Sequence, residues 1–253
     1  MIVSAAKLKK FITKCIVYSR GMSGKRAPYF LDLKLSAENN TLFCSGISKE
    51  KNIMIDFNIP VECNESETFY VSDAVDFLRV LKDGIKGKIE ITHQGISTDV
   101  GLIEYPLKQA HIDTVSNYPV YYNKILGDND KLGYGNAGLF NTTIIAKGKD
   151  IADAVKKVNY RYELFEYRFE VMDNRFFVSI LSRDGKDFET EIPAIIEGDD
   201  CGGIYSIGVD CIFKELGQEV TLHLNSNTPM IVEDDTGDRV VFFPVEYLDG
   251  DDK

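Results

Sequence analysis

The feature that most restricts this chain is an order of elements that occurs twice. Leu8, Phe11, Ile12, Cys15 and Ile16 recur at spacings of three and four, which predicts a helix over 5–18. Strand-like segments follow at 29–35, 41–47, 53–59 and 68–71, with Asn39-Asn40 as a hairpin turn. Ser4 and Ser72 stand where the two helices need caps. A short helix then carries Ala74, Phe77, Leu78 and Leu81, and strands at 88–93, 96–103 and 107–112 complete the half. The second half reads strand 139–146, helix 149–159, and strands 165–172, 175–181 and 188–192. A glycine-rich break at 198–203 leads to strand 204–207, a short helix at 208–216, and strands 220–224, 230–233 and 240–243. In one register Phe69-Tyr70 falls on Ile204-Tyr205, Phe77-Leu78-Arg79 on Ile212-Phe213-Lys214, and Leu81 on Leu216. Such a repeat predicts two pseudo-symmetric α+β domains, 1–113 and 139–253. Between them, 114–138 has four glycines, Pro119 and Asp128-Asn129-Asp130 without apolar periodicity, and reads as a linker.

Charge is segregated. The chain carries −11 overall, yet residues 1–31 hold seven basic side chains and no acidic one. The remainder therefore carries −18. Lys7, Lys10 and Lys14 share a helical face away from the apolar stripe. Arg79 and Lys82 lie on the second helix, Lys149 and Lys156 on the third, and Lys214 on the fourth; Arg20 begins a basic, glycine-containing loop at 20–28. If the helices lined one surface, that surface would be positive on an acidic body. Diffuse lysines of this kind track phosphates without reading bases.

Signals for catalysis are poor. His93, His111 and His223 are the only histidines, and none has a carboxylate or cysteine at triad or ligand spacing. Gly21-Met22-Ser23-Gly24-Lys25 lacks the spacing of a phosphate loop. A calcium loop starting at Asp128 would have Leu132 and Leu139 where it needs oxygen ligands. Five widely spaced cysteines without a Cys-x-x-Cys predict reduced thiols. No metal, cofactor or enzymatic activity is expected. No apolar run approaches the ~20 residues of a membrane helix, and Lys7, Lys9 and Lys10 interrupt any leader-like start, so no membrane partner is expected.

Three stretches carry a resemblance. Ala6-Lys7-Leu8-Lys9-Lys10-Phe11-Ile12 resembles the first lumen helix of DNA polymerase sliding clamps. Phe69 through Leu78 resembles their strand-to-short-helix unit. Asn227-Thr228-Pro229-Met230-Ile231-Val232, followed by Val240-Val241-Phe242-Phe243-Pro244-Val245, resembles their C-terminal end. The resemblance implies a duplicated DNA-clamp fold, with two β-sheets and two helices per domain and six domains closing a ring. A two-domain chain, like proliferating cell nuclear antigen and bacteriophage clamps, implies a homotrimer. The implied function is a non-enzymatic processivity factor in DNA replication and repair that encircles double-stranded DNA independently of sequence. It would be placed by a clamp loader and would tether a DNA polymerase. Lys7, Lys10, Lys14, Arg20, Arg79, Lys82, Lys149, Lys156 and Lys214 would face the duplex. Tyr122, Ile125, Leu126, Pro229, Phe242, Phe243, Pro244 and Val245 would form the hydrophobic partner pocket, with one of Phe242 and Phe243 in the core because strand neighbours face opposite sides. Subunits would meet between 107–112 and 188–192. The implied location is cytoplasmic, at a nucleoid or in an infected host, or nuclear in a eukaryote. The linker is longer than the family's, and Glu246 stands where bacterial clamps favour Arg. The alternatives are a subunit of a heteromeric clamp-like ring in the DNA damage response, or a two-domain α+β enzyme with a site near His111 and Asp128.

Overall fold

The computed structural model describes residues 1–20, 26–48, 52–82, 85–105, 140–156, 166–182, 185–206, 212–226 and 228–245. The chain divides into two compact units, Met1–Lys124 with Thr236–Val240, and Ile125–Asp235 with Val241–Lys253. The predicted linker 114–138 and strand 107–112 lie outside the described residues.

In the first unit, β1 (Ile2–Ser4) leads into α1 (Ala5–Ile16). Leu8, Phe11, Ile12, Cys15 and Ile16 are all buried, as the periodicity requires. Ser4 holds the extended N-cap backbone but makes no side-chain cap bond; instead the Ala5 N–H donates to Gly87 O at 2.9 Å. A small ribbon follows, β2 (Tyr18–Arg20) paired with β3 (Arg26–Pro28). Next come β4 (Leu33–Glu38), β5 (Thr41–Ile47), β6 (Ile53–Pro60), β7 (Glu67–Val71) and α2 (Ala74–Lys82). Asp73, not Ser72, caps α2: its Oδ1 accepts the Asp76 N–H at 2.9 Å. The stripe Ala74, Phe77, Leu78 and Leu81 is buried as predicted. Beyond it lie β8 (Lys88–Thr92), β9 (Gly95–Thr98) and β10 (Gly101–Glu104). The predicted strand 96–103 is thus two strands, because Asp99-Val100 turns the chain and Gly101 adopts φ +141°.

The second unit repeats this plan. β11 (Thr142–Lys147) leads into α3 (Gly148–Val155), then β12 (Glu166–Met172), β13 (Arg175–Ser182), β14 (Gly185–Ile192), β15 (Ala194–Glu197) and β16 (Cys201–Tyr205). A 3-10 turn (Phe213–Glu215) precedes β17 (Glu219–Leu224) and β18 (Met230–Asp234); of β19 (Arg239–Phe242), Arg239 and Val240 belong to the first unit and Val241 and Phe242 to the second. The expected glycine break holds over 198–200, between β15 and β16, and its second half is strand. Gly202 and Gly203 belong to β16, and a Cβ on Gly203 would collide with the Tyr205 ring.

Both units contain two antiparallel sheets with matching orders. The first has β1-β8-β9-β10 and β6-β5-β4-β7; in the second, β11-β17-β18 follows the order of β1-β8-β9, with β15 added beyond β11, and β14-β13-β12-β16 follows that of β6-β5-β4-β7. In each, the strand before the first helix pairs with the strand after the second helical element. The isolated Ile2–Glu62 bridge in the first unit stands where β15 pairs with β11 in the second. Both hairpins, β4–β5 and β12–β13, close on two left-handed residues: Asn39-Asn40 (φ 49° and 58°) and Asp173-Asn174 (φ 53° and 56°). That is the type I′ geometry a right-twisted hairpin favours.

The internal register read from sequence holds in the helices and slips in the strands. Phe77 and Leu78 are buried with Arg79 exposed, and Ile212 and Phe213 are buried with Lys214 exposed. In the strands, Phe69 and Tyr205 are the fully buried residues, so the strand match is offset by one. The core of the second unit is an aromatic stack. Phe213 lies 5.7 Å from Phe169 and 5.8 Å from Phe242, and Tyr205 sends its hydroxyl to Thr228 O at 3.1 Å.

Candidate nucleic-acid interface

Two cation-bearing helical elements lie side by side in each unit. α1 packs on α2, and α3 packs on the Phe213–Glu215 turn. Their buried stripes fix which side chains remain outside. On α1, Lys7 and Lys10 are exposed, and Lys7 Nζ donates to Pro60 O at 2.7 Å. On α2, the Arg79 side chain is 73% exposed, with Asp76 at 3.9 Å, and Lys82 is exposed. Lys149 is exposed and pairs with Asp153 one turn on, which raises its pKa through that hydrogen bond. Lys156 follows α3 and is exposed; Lys214 on the 3-10 turn stands 3.6 Å from Glu215. Pairs this exposed contribute little to folding, so these cations are available to an outside anion.

Lys14 differs from the expectation. Its ammonium forms an ion pair with Asp238, whose side chain is 2% exposed, and lies 4.8 Å from the centre of the Phe57 ring. Asp238 also accepts the Asn58 backbone N–H at 2.7 Å and Asn58 Nδ2 at 3.2 Å. A half-buried lysine engaged this way is part of the packing of the first unit rather than of its free cationic surface. Arg20 closes β2, but its side chain lies outside the described residues.

Near Asp238, the Asp56 carboxyl is half-buried and its pKa is pushed up to about 6, chiefly by loss of solvent; a hydrogen bond from Ser45 Oγ (3.0 Å) and the Arg239 charge oppose the shift. Sequence alone gave no signal for this group, because its neighbours come from distant segments.

Of the proposed partner pocket, Tyr122, Ile125 and Leu126 lie outside the described residues. Pro229 is buried. Phe242 is 1% exposed and stacked at 6° on Phe213, so its ring belongs to the core. Phe243, Pro244 and Val245 remain half-buried. They run beside β16, where Pro244 bridges Tyr205 and the Val245 N–H donates to Ile204 O at 2.8 Å.

Among the described residues, no group of three or more His, Cys, Asp or Glu could hold a metal ion. No helix among them is long and apolar enough to cross a membrane.

No protein-family model matches the sequence. No curated protein matches it. Solved structures do. The DNA polymerase III beta subunit of Thermotoga maritima is 13% identical with a TM-score of 0.68 over 97% of this chain. This chain covers only 65% of that subunit's length. A chain of the PCNA2–PCNA3 complex of Sulfolobus tokodaii is 17% identical, TM-score 0.63, with 97% of this chain and 98% of that one covered. Proliferating cellular nuclear antigen of Entamoeba histolytica is 9% identical, TM-score 0.62, with 96% of each chain covered. The duplicated α+β architecture of this chain is therefore the sliding-clamp fold.

Proposed function

We propose that this protein is a DNA polymerase processivity factor, a ring that encircles duplex DNA and tethers a polymerase by topology. The observation that carries this reading is the placement of exposed cations. Lys7, Lys10, Arg79, Lys82, Lys149, Lys156 and Lys214 all sit on or directly after helical elements, in a chain whose net charge is −11. Retention by enclosure needs only weak phosphate contacts, and exposed lysines supply those without base specificity. The sliding-clamp fold supports the same reading. No reacting group is required, so the role is non-enzymatic.

The ring would be a homotrimer. β10 ends one sheet of the first unit and β14 ends one sheet of the second. Free sheet edges invite strand pairing between copies, and closing a ring removes them. The described part of the expected contact, 188–192, lies on β14. A polymerase or other replication or repair partner would bind at Phe243, Pro244 and Val245 with Pro229 and the linker residues Tyr122, Ile125 and Leu126. A loader would open the ring, in whichever compartment holds the DNA.

The test combines mass and topology. Light scattering should give three times 28.5 kDa, about 85.5 kDa. Protein diluted to subunits and reassembled with nicked circular DNA should stay with the circle through gel filtration at about 0.5 M salt, which weakens phosphate contacts. Cutting the circle should release it. Loss of retention on linearisation supports enclosure; equal retention on both forms refutes it. A concentration-independent monomer would favour the heteromeric ring, as the complex of two named chains from Sulfolobus tokodaii suggests.

A further inference from the structure

We propose that Cys15 and Cys44 are a reversible redox pair: hydrogen peroxide joins them in a disulfide that locks the last turn of α1 onto β5. The pair lies wholly within the first unit and does not depend on the function proposed above.

Cys15 belongs to the buried stripe of α1. Cys44 stands on β5, opposite Leu35 on β4 and Phe57 on β6, and all three side chains are fully buried. The helix lies against them at this level. α1 packs on β6, and the Lys14 ammonium, one residue before Cys15, sits 4.8 Å from the centre of the Phe57 ring. Cys15 and Cys44 are both reduced, both without solvent exposure, and hydrogen-bonded to each other. A thiol–thiol contact between a helix and a strand is the juxtaposition that a disulfide requires, because neither backbone then has far to move.

Enclosure keeps the pair reduced at rest. Burial pushes the Cys15 thiol well above its ordinary range, and Cys44 and Asp238 add to the shift, so little of the reactive thiolate is present. Forming it requires the last turn of α1 to open, and that turn adjoins a strained residue. Val17, buried and β-branched, holds φ +41°, a costly conformation. Its N–H reaches Lys14 O at 3.3 Å, a long hydrogen bond. Once the turn opens, one thiolate attacks a peroxide oxygen, giving a sulfenic acid and hydroxide. The second thiol then displaces the sulfenic hydroxyl. The sulfurs lose two electrons, the peroxide and the two thiol protons leave as two waters, and one S–S bond replaces two S–H bonds.

The test treats the full chain with excess hydrogen peroxide at about pH 8.5, where thiolate is favoured. Remaining thiols are blocked with iodoacetamide and the tryptic peptides are mapped by mass. Peptides 15–20 and 35–49 should appear joined, lighter by two hydrogens than their sum, and should separate with dithiothreitol. The oxidised chain should melt several degrees above the reduced one, because the bond closes a long loop in the unfolded state. Dithiothreitol should cancel that gain. Cys44→Ala should abolish the joined peptide and the gain, whereas Cys63→Ala should keep both. If Cys44→Ala fails to fold, the wild-type map still decides. Cys15 and Cys44 both recovered as blocked thiols, either found as sulfinic or sulfonic acid, or either bridged to another cysteine overturns the pair. A joined peptide with a lowered Tm overturns the lock.

Discussion

Lys14 and Asp238 are separated by 224 residues and form a partly buried ion pair in the first unit. The carboxylate also takes two hydrogen bonds from Asn58. The pair joins the last turn of α1 to β6 and to the segment Thr236–Val240, which belongs to the same compact unit. Removing one member leaves the other without its counter-charge, which in a buried site costs several kcal/mol. Asp238→Ala should therefore lower stability by about 3 kcal/mol in urea unfolding. Lys14→Gln should also lower Tm, whereas Lys7→Gln and Lys10→Gln should leave it almost unchanged and weaken duplex binding. A Lys14→Gln protein with wild-type Tm and reduced DNA affinity would return Lys14 to the cationic surface.

Asp56 makes stability depend on pH. Its native value is about 6 against an ordinary 3.8, because burial disfavours the charged form. Between those values the native chain holds a proton that the unfolded chain has lost. The stabilisation from this group is thus fully present below about pH 4 and is lost as pH rises through 6. A shift of this size corresponds to about 3 kcal/mol at most. Asp56→Asn keeps an acceptor for Ser45 Oγ and removes the charge. It should unfold at higher temperature than the wild type at pH 7.5, with the gap narrowing by pH 5. A gap independent of pH would show that Asp56 is not the responsible group.

The two hairpin turns offer a matched pair of substitutions. Asn40 and Asn174 both hold left-handed backbone at the second turn position (φ 58° and 56°). A β-branched residue is strained there by about 1–2 kcal/mol. Asn174→Val should be destabilising by roughly that amount, and Asn174→Gly neutral or stabilising, as type I′ turns favour glycine. Asn40→Val should cost somewhat more, since Asn40 Oδ1 also accepts the Cys63 N–H at 3.2 Å. Unequal signs in the two units would contradict their structural equivalence.

What could be read from sequence follows from range. The stripes of α1 and α2 and the Asn39-Asn40 turn are local patterns, and each matches the structure residue for residue. β15 has no signal of its own in the sequence, because Pro193 cuts its four residues off from β14. Gly202-Gly203 resembled a break because the reason for glycine there, the Tyr205 ring, becomes visible only once β16 is folded. Asp73 displaced Ser72 as a cap through a shift of one position, within the usual uncertainty of helix ends. At the candidate interface, exposure of Lys7, Lys10, Arg79 and Lys149 was legible from helix phase. The engagement of Lys14 was not, since Asp238 comes from the other end of the chain.

Phe242 and Phe243 separate stability from recognition. Phe242 is fully enclosed between Phe213 and Tyr205, while Phe243 is half-buried beside Pro244 and Val245. Truncating an enclosed phenylalanine costs about 3–5 kcal/mol through lost burial and the cavity left behind. Phe242→Ala should thus lower Tm sharply, and Phe242→Leu, which refills most of the space, should recover much of it. Phe243→Ala should cost about 1 kcal/mol, as expected for a side chain already partly in solvent. If the segment 243–245 receives a polymerase peptide, calorimetry should show weaker binding to Phe243→Ala and unchanged binding to Phe242→Leu. The reverse pattern would place recognition in the core stack and exclude the half-buried edge as the docking site.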